Sequence, residues 1–517
     1  MLRFRFLTGT AACALLPAAA LADVTPEDVW DNLTASVAPL GGETTAETAR
    51  DGDVLTLHDI EMRFGLPMGL GEATLSLGTL TLTDNGDGTV ALGGPNEQDW
   101  RLGVDIPGAG GGTVTMTLRV EDYTTTASGD PGDVTYDYDI GRYAVTFADA
   151  SLHGQAAEEA PEFSIDGTMT MNDLSGQYTL REAGELFTIV SEGAIGSGGF
   201  DFAFETTDPD SGETVAVDQT AALREMGGAG EVALPAGGVT LTALAEALRD
   251  GMALEYEFYS DGQENEQVIT AGGTVVTRQT DSVGRNQGSV HLAADGIRVA
   301  GSAVDYDLAM EQPGAMPVPL SVAFDTVEAE FAMPLLTSEE PSTAVLRGAA
   351  TGVTLGEALW SLFDPQQELP RDPATLSVDV TAGLRPTVDL VDIEALQGLE
   401  ATGAAPFDLY DVTVAELSVS AAGASAAAEG AFTFDNDDLE TFDGIPAPDG
   451  SATLRLSGVN GLLDALVALH LLSEDDAMGT RMMLGGFAQP DGEDGYVSDI
   501  VVDGETGRVT AGGQRIR

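Results

Sequence analysis

Apolar residues recur at every second position along most of this chain, the period of a strand with one covered and one wet face. Residues 113–120 show it most plainly. Val114, Met116, Leu118 and Val120 face one way, and Thr113, Thr115, Thr117 and Arg119 the other. The alternation returns in Phe163, Ile165, Met169 and Met171, in Phe200, Phe202 and Phe204, in Leu254, Tyr256 and Phe258, and in Val304, Tyr306, Leu308 and Met310. Twice the phase slips by one residue at a glycine. Leu75 and Leu77 give way to Leu80 and Leu82 across Gly78, and Tyr136, Tyr138 and Ile140 give way to Tyr143, Val145 and Phe147 across Gly141. A slip of this kind is how a β-bulge bends a strand without turning its apolar side outward. The expectation is a mainly β protein: a long, twisted, bulged antiparallel sheet in repeated units, with a few short amphipathic helices.

Turn and helix signals fit that frame. Asn85-Gly86 and Asp87-Gly88 stand between two short apolar segments and predict a hairpin. The run TDNGDGT at 83–89 superficially resembles a calcium loop but lacks the spaced ligands and closing glutamate of an EF-hand. The acidic run Asp435-Asn436-Asp437-Asp438 reads likewise as a solvated turn. Thr25-Pro26-Glu27-Asp28 opens a helix, with Thr as cap and Pro at the first helical position, and Val29, Trp30, Leu33 and Val37 form its stripe. Three further helices are expected behind Gly238-Val239-Thr240, Gly352-Val353-Thr354 and Gly458-Val459-Asn460, and a last one from Ser473. The spacing of these tripeptides, 114 and 106 positions, suggests an internal repeat of many strands closed by one helix. With no long Ser/Gly- or Pro-rich linker, residues 23–517 are expected to form one elongated body, divisible into lobes of about 23–233 and 234–517.

Residues 1–22 read as a secretory signal: Arg3 and Arg5, a short apolar segment, then Ala20-Leu21-Ala22 as the cleavage pattern, with the cut after Ala22. The apolar run falls short of the roughly 20 residues a spanning helix needs. The only cysteine, Cys13, lies inside it, so no disulfide or thiolate chemistry is expected beyond residue 22. The expected location is the periplasm. The charge is lopsided: 85 acidic residues against 21 basic ones, all arginine, a formal net of −64. Such a field repels nucleic acid and anionic headgroups at long range, so nucleic acid is not an expected partner.

Familiar catalytic patterns are missing from the sequence. Without lysine there is no Walker loop and no Schiff base. His58, His153, His291 and His470 are scattered at no metal-ligand spacing. No G-x-S-x-G elbow occurs, and Gly108 to Gly112 do not form a dinucleotide fingerprint. With three tryptophans, Trp30, Trp100 and Trp360, aromatic platforms for sugar are scarce. No catalytic, cofactor-binding or metal residue is therefore assigned, and no cofactor is expected.

Several runs resemble an uncharacterised family of exported bacterial proteins, the one numbered 2125 among domains of unknown function. They are ADVTPEDVW at 22–30, LFDPQQELPRDPATL at 362–376, GAFTFDNDDLETFDGIPAP at 430–448, MGTRMMLGGFAQP at 478–490 and TAGGQRIR at 510–517. The likeness spans essentially the whole chain after residue 22, and it implies export but supplies no activity, cofactor or catalytic residue. A looser, fold-level likeness is to envelope proteins of the AsmA type, which build long curved sheets with one apolar face and are implicated in lipid movement. The leading expectation is a non-enzymatic envelope protein that binds an apolar, lipid-like ligand or an envelope partner on the covered face. Two alternatives stand beside it: a glycan-directed hydrolase using a carboxylate pair, and a structural or cation-loaded surface protein.

Overall fold

The structure, a computed structural model, describes residues 23–66, 69–154, 162–208, 211–240, 243–492 and 494–517. The signal-peptide reading of 1–22, with Cys13 and the cleavage site, lies outside them, as does Leu241 of the second expected helix. Helix α1 (Pro26–Ala35) comes first. Its cap forms as the sequence predicts: Thr25 Oγ1 accepts from the Asp28 amide at 3.2 Å, and the Asp28 carboxylate accepts from the Thr25 amide at 2.9 Å.

All 24 strands found among the described residues belong to one antiparallel sheet. At the N-terminal end, β1 (Gly42–Asp51) pairs with β2 (Val54–Gly65). On its other side β2 meets two short strands, β3 (Glu72–Ser76) and β4 (Leu80–Asp84). These lead through β6 (Glu97–Ile106) and β5 (Val90–Gly93) to β7 (Gly110–Asp130). A plain meander follows, in which each strand pairs with the next: β8 (Asp133–His153), β9 (Glu162–Ala183), β10 (Leu186–Thr207), β11 (Thr214–Pro235), β12 (Ala253–Ala271), β13 (Thr274–Ala293) and β14 (Gly296–Glu311). It continues through β15 (Leu320–Met333), β16 (Ser342–Leu355), β17 (Ala374–Pro386), β18 (Phe407–Ala421), β19 (Ala424–Asp435) and β20 (Ala447–Ser457). Four strands close the chain: β21 (Gln489–Pro490), β22 (Gly495–Asp503), β23 (Arg508–Ala511) and β24 (Gln514–Arg515). The suggested boundary near 234 falls in the last residues of β11, which pairs with β12 from Val215 with Ala271 to Ala233 with Ala253, interrupted only at Arg224 and Gly262.

Among the described residues five more α-helices sit in the connections: α2 (Leu244–Arg249), α3 (Glu357–Phe363), α4 (Ile393–Thr402), α5 (Val459–Ala468) and α6 (Glu474–Phe487). The three tripeptides thought to lead helices occupy three different settings. Gly238 and Val239 lie in the turn before α2, residues 352–354 belong to strand β16, and Val459 and Asn460 are already inside α5.

A crease crosses ten neighbouring strands, β7 to β16, near their midpoints. Pairing resumes on either side of it, but Asp122, Gly141, Asp173, Gly196, Arg224, Gly262, Gly284, Asp305, Asp325 and Gly352 fall in the gaps. Asp122, Asp173, Gly262, Asp305 and Gly352 take φ between 51° and 83°, a left-handed bend that aspartate and glycine tolerate best. Opposite the bent aspartates stand glycines. A Cβ on Gly141, Gly196 or Gly284 would lie 3.0 Å from the Cβ of Asp122, Asp173 or Asp305. Each strand spends one extra residue at the crease, so the apolar set changes parity without changing face. The Gly141 slip is one member of this line. At Gly78 the slip is resolved differently, because the strand breaks into β3 and β4: a Cβ there would meet Gln98 Oε1, which accepts from the Thr79 amide at 2.9 Å. Val304 lies before the bend, in the row of Arg285 and Thr326, so the alternation expected to run through 304–310 is interrupted at Asp305.

Candidate ligand-binding face

Residues directly opposite one another in antiparallel strands project from the same face, so register alone maps the apolar surface. Toward the N-terminus that surface is sealed. Helix α1 brings Val29 into one core cluster with Leu57, Leu82, Val90, Val134 and Tyr136, all fully buried. The helix also brings a polar side chain under the seal. Buried Asn32 donates to the Leu180 carbonyl at 3.1 Å, and its Oδ1 accepts from the Tyr136 hydroxyl at 2.9 Å. Burial pushes the Tyr136 phenol far above its ordinary range. Tyr178, whose ring stacks on Tyr136 at 4.6 Å, is pushed up to about 12, also by burial.

Over β12 to β18 the same face is open. One row runs Tyr256, Val290, Val299, Phe331, Leu346 and Val380 across six strands. The next runs Gly176, Gly193, Gly228, Phe258, Gly288, Gly301, Ala329, Gly348, Val378 and Leu417. Leu376 and Val419 form a third pair. Leu346 is 52% exposed and Leu376 50%, and Tyr256, Phe258, Val299, Phe331, Leu417 and Val419 are exposed as well. The glycines let rings lie down. A Cβ on Gly176, Gly193, Gly228 or Gly288 would come within 2.4 to 2.7 Å of the rings or hydroxyls of Tyr138, Tyr256 and Phe258. The result is a low, aromatic floor.

The other face is polar and carries cross-strand ion pairs. Glu330 takes Arg298 at 3.0 Å and Arg347 at 3.1 Å, and Arg347 also reaches Asp379 at 3.0 Å. Arg285 pairs with Asp261 at 3.3 Å and lies over the Tyr259 ring. A trough of 1270 Å³ runs along these rows. Exposed pairs of this kind contribute at most about 1 kcal/mol each. Their main effect is to keep charge on one side of the sheet.

The four histidines stay apart. His58 faces Thr79 Oγ1 at 3.3 Å, His153 faces Asp105 at 3.3 Å, His291 faces Asp295 at 3.0 Å, and His470 follows α5 with φ of 58°. Among the described residues no three His, Cys, Asp or Glu side chains converge as metal ligands would. The TDNGDGT run is the β4–β5 hairpin turn, and its carboxylates are engaged locally: Asp84 accepts from the Gly86 amide at 2.8 Å, and Asp87 from the Thr89 hydroxyl at 2.7 Å. In the acidic run at 435–438, Asp435 and Asp438 accept from nearby backbone amides at 3.0 Å. Trp30 packs against the sealed core, and Trp360 lies 5.0 Å from Phe363 within α3 and under the Arg371 guanidinium. Among the described residues no helix is long and apolar enough to cross a membrane.

Fold and face together define a class: a mainly β protein built on one long antiparallel sheet, with an apolar side half sealed and half open. No family model matches the chain, and no curated protein matches it either.

Proposed function

We propose that this chain is a non-catalytic protein of the bacterial envelope that holds an apolar, lipid-like ligand on the open face over β12 to β18. The reading rests on one observation. Eight large apolar residues, including Phe258, Phe331, Leu346 and Leu376, lie exposed on adjoining rows of a single sheet face. Monomeric proteins seldom leave contiguous apolar surface of this kind in water unless something binds there. Export to the periplasm belongs to the same proposal and is supported by the n-region, apolar core and Ala20-Leu21-Ala22 pattern of residues 1–22. So does membership of the uncharacterised exported family that five sequence runs resemble. Solvent extraction of the purified protein followed by mass spectrometry tests the binding claim. Co-purified acyl lipid at near one molecule per chain is expected in the wild type, and its loss in Leu346→Asp. An extract with no lipid, from protein that also fails to take up an added acyl probe, overturns it.

A further inference from the structure

The apolar floor contains a buried hydroxyl that pairs with no group of the described residues. In the row nearest the crease, Ile140, Leu174, Ile195 and Met226 lead to Ser260 and then Asn286. Ser260 is 5% exposed, and its hydroxyl has no hydrogen-bond partner among the described residues. It lines a pocket of 430 Å³ on this face, walled by Tyr138, Leu223, Tyr256 and Phe258. That volume is within the range of small-molecule sites, about 300–1,000 Å³. Leaving a buried hydroxyl unpaired is unfavourable, and a ligand oxygen or N–H at that point removes the penalty. The polar side continues next door. Asn286 donates to Gln263 Oε1 at 3.3 Å, and across the crease Gln219, Asn265, Asp281 and Gln279 form a hydrogen-bonded ladder over β11 to β13.

Building on the reading that the open face holds lipid, we propose that this pocket recognises the neutral polar group of the ligand, an ester or hydroxyl next to an acyl chain. The chain then lies over Phe258 and the row of Val299, Phe331 and Leu346. Charge selects against acids: among the described residues lining the pocket only Glu192 is charged, and none is an arginine or histidine that could receive a carboxylate or phosphate. The overall formal charge of −64 works in the same direction.

The test uses two fluorescent probes of one chain length, a dansyl-undecanoic acid and its glycerol monoester, titrated into delipidated full-length protein at pH 7.5. The ester should bind at least about tenfold tighter than the acid, since an unpaired buried carboxylate is heavily penalised. Ser260→Ala should weaken the ester about three- to tenfold, the factor one net hydrogen bond supplies, and leave the acid unchanged. The melting temperature of the ligand-free variant should stay level or rise, because the deleted oxygen has no partner to lose. Equal binding of ester and acid, or an ester affinity untouched by Ser260→Ala, overturns the headgroup pocket while leaving lipid on the face. If neither probe binds the wild type, the open-face reading itself falls and this inference with it.

Discussion

The two ends of one apolar surface are built from the same alternation and reach opposite outcomes. Under α1, Leu57 and Val29 are fully buried; over β12 to β18, Leu346 and Leu376 are half exposed. The difference is a single amphipathic helix, fixed at its start by the Thr25–Asp28 capping box and pinned in the middle by Asn32. The helices of the C-terminal half lie in strand connections and leave large apolar side chains of their own exposed, among them Leu362, Met478 and Met482. Strand alternation therefore specifies which side is oily, and a separate element decides whether that side becomes core or stays open to solvent.

The contrast can be broken by truncation. Leu57→Ala should cost about 2–5 kcal/mol, the range for a buried leucine, whereas Leu346→Ala should stay within roughly 0.5 kcal/mol in ligand-free protein. Urea unfolding of both variants measures this, and equal costs would mean that the open face is core in solution. Tyr136→Phe comes next. It removes the donor to Asn32 Oδ1 and leaves that oxygen buried without this partner, an expected loss of about 1–3 kcal/mol.

The same residue gives the sealed end an alkaline signature. Because burial raises the Tyr136 phenol above its unfolded value near 10, its contribution is fully present below about pH 10. That contribution falls as pH rises further, by up to about 1.4 kcal/mol per pH unit, since the unfolded chain ionises first. A stability profile between pH 9 and 11.5 should bend downward in the wild type and less so in Tyr136→Phe.

The smallest expected effect belongs to Asp389, whose carboxyl is held below the usual range chiefly by its hydrogen bond from Arg249 at 2.6 Å. Its contribution is present above the unfolded carboxylate value near 4 and is lost as pH falls through the lower folded value. Asp389→Asn should therefore lose a little stability at pH 7, with the gap from wild type closing toward pH 2 in thermal melts.

Much of this was legible in the residues. Period-two alternation gave the sheet, Thr25-Pro26-Glu27-Asp28 gave α1, and Asn85-Gly86 gave the β4–β5 hairpin. The Gly141 slip pointed to the crease, but its aspartate members did not stand out, because Asp173 or Asp305 with positive φ reads in sequence as one more polar position. Helix α4 was missed despite signals at both ends, a capping Asp392 and Gly403 at φ of 71°. Ser260 could not be found from the sequence. Its burial depends on neighbours brought together by strand register, Met226 and Asn286, which lie 34 and 26 positions away. Nor could alternation say which part of the apolar side would be covered, since that depends on where a helix lands.

Thiol accessibility puts the contrast to its most direct test. In a Cys13→Ser background, which contains no other cysteine, Leu346→Cys and Leu57→Cys are each exposed to maleimide, with and without an added acyl ester. The account predicts rapid modification at 346 in delipidated protein, slowed at least about tenfold by the ester, and modification at 57 only through unfolding, slower by about three orders of magnitude or more. A thiol at 346 as protected as the one at 57, or equally reactive with and without ester, would contradict it.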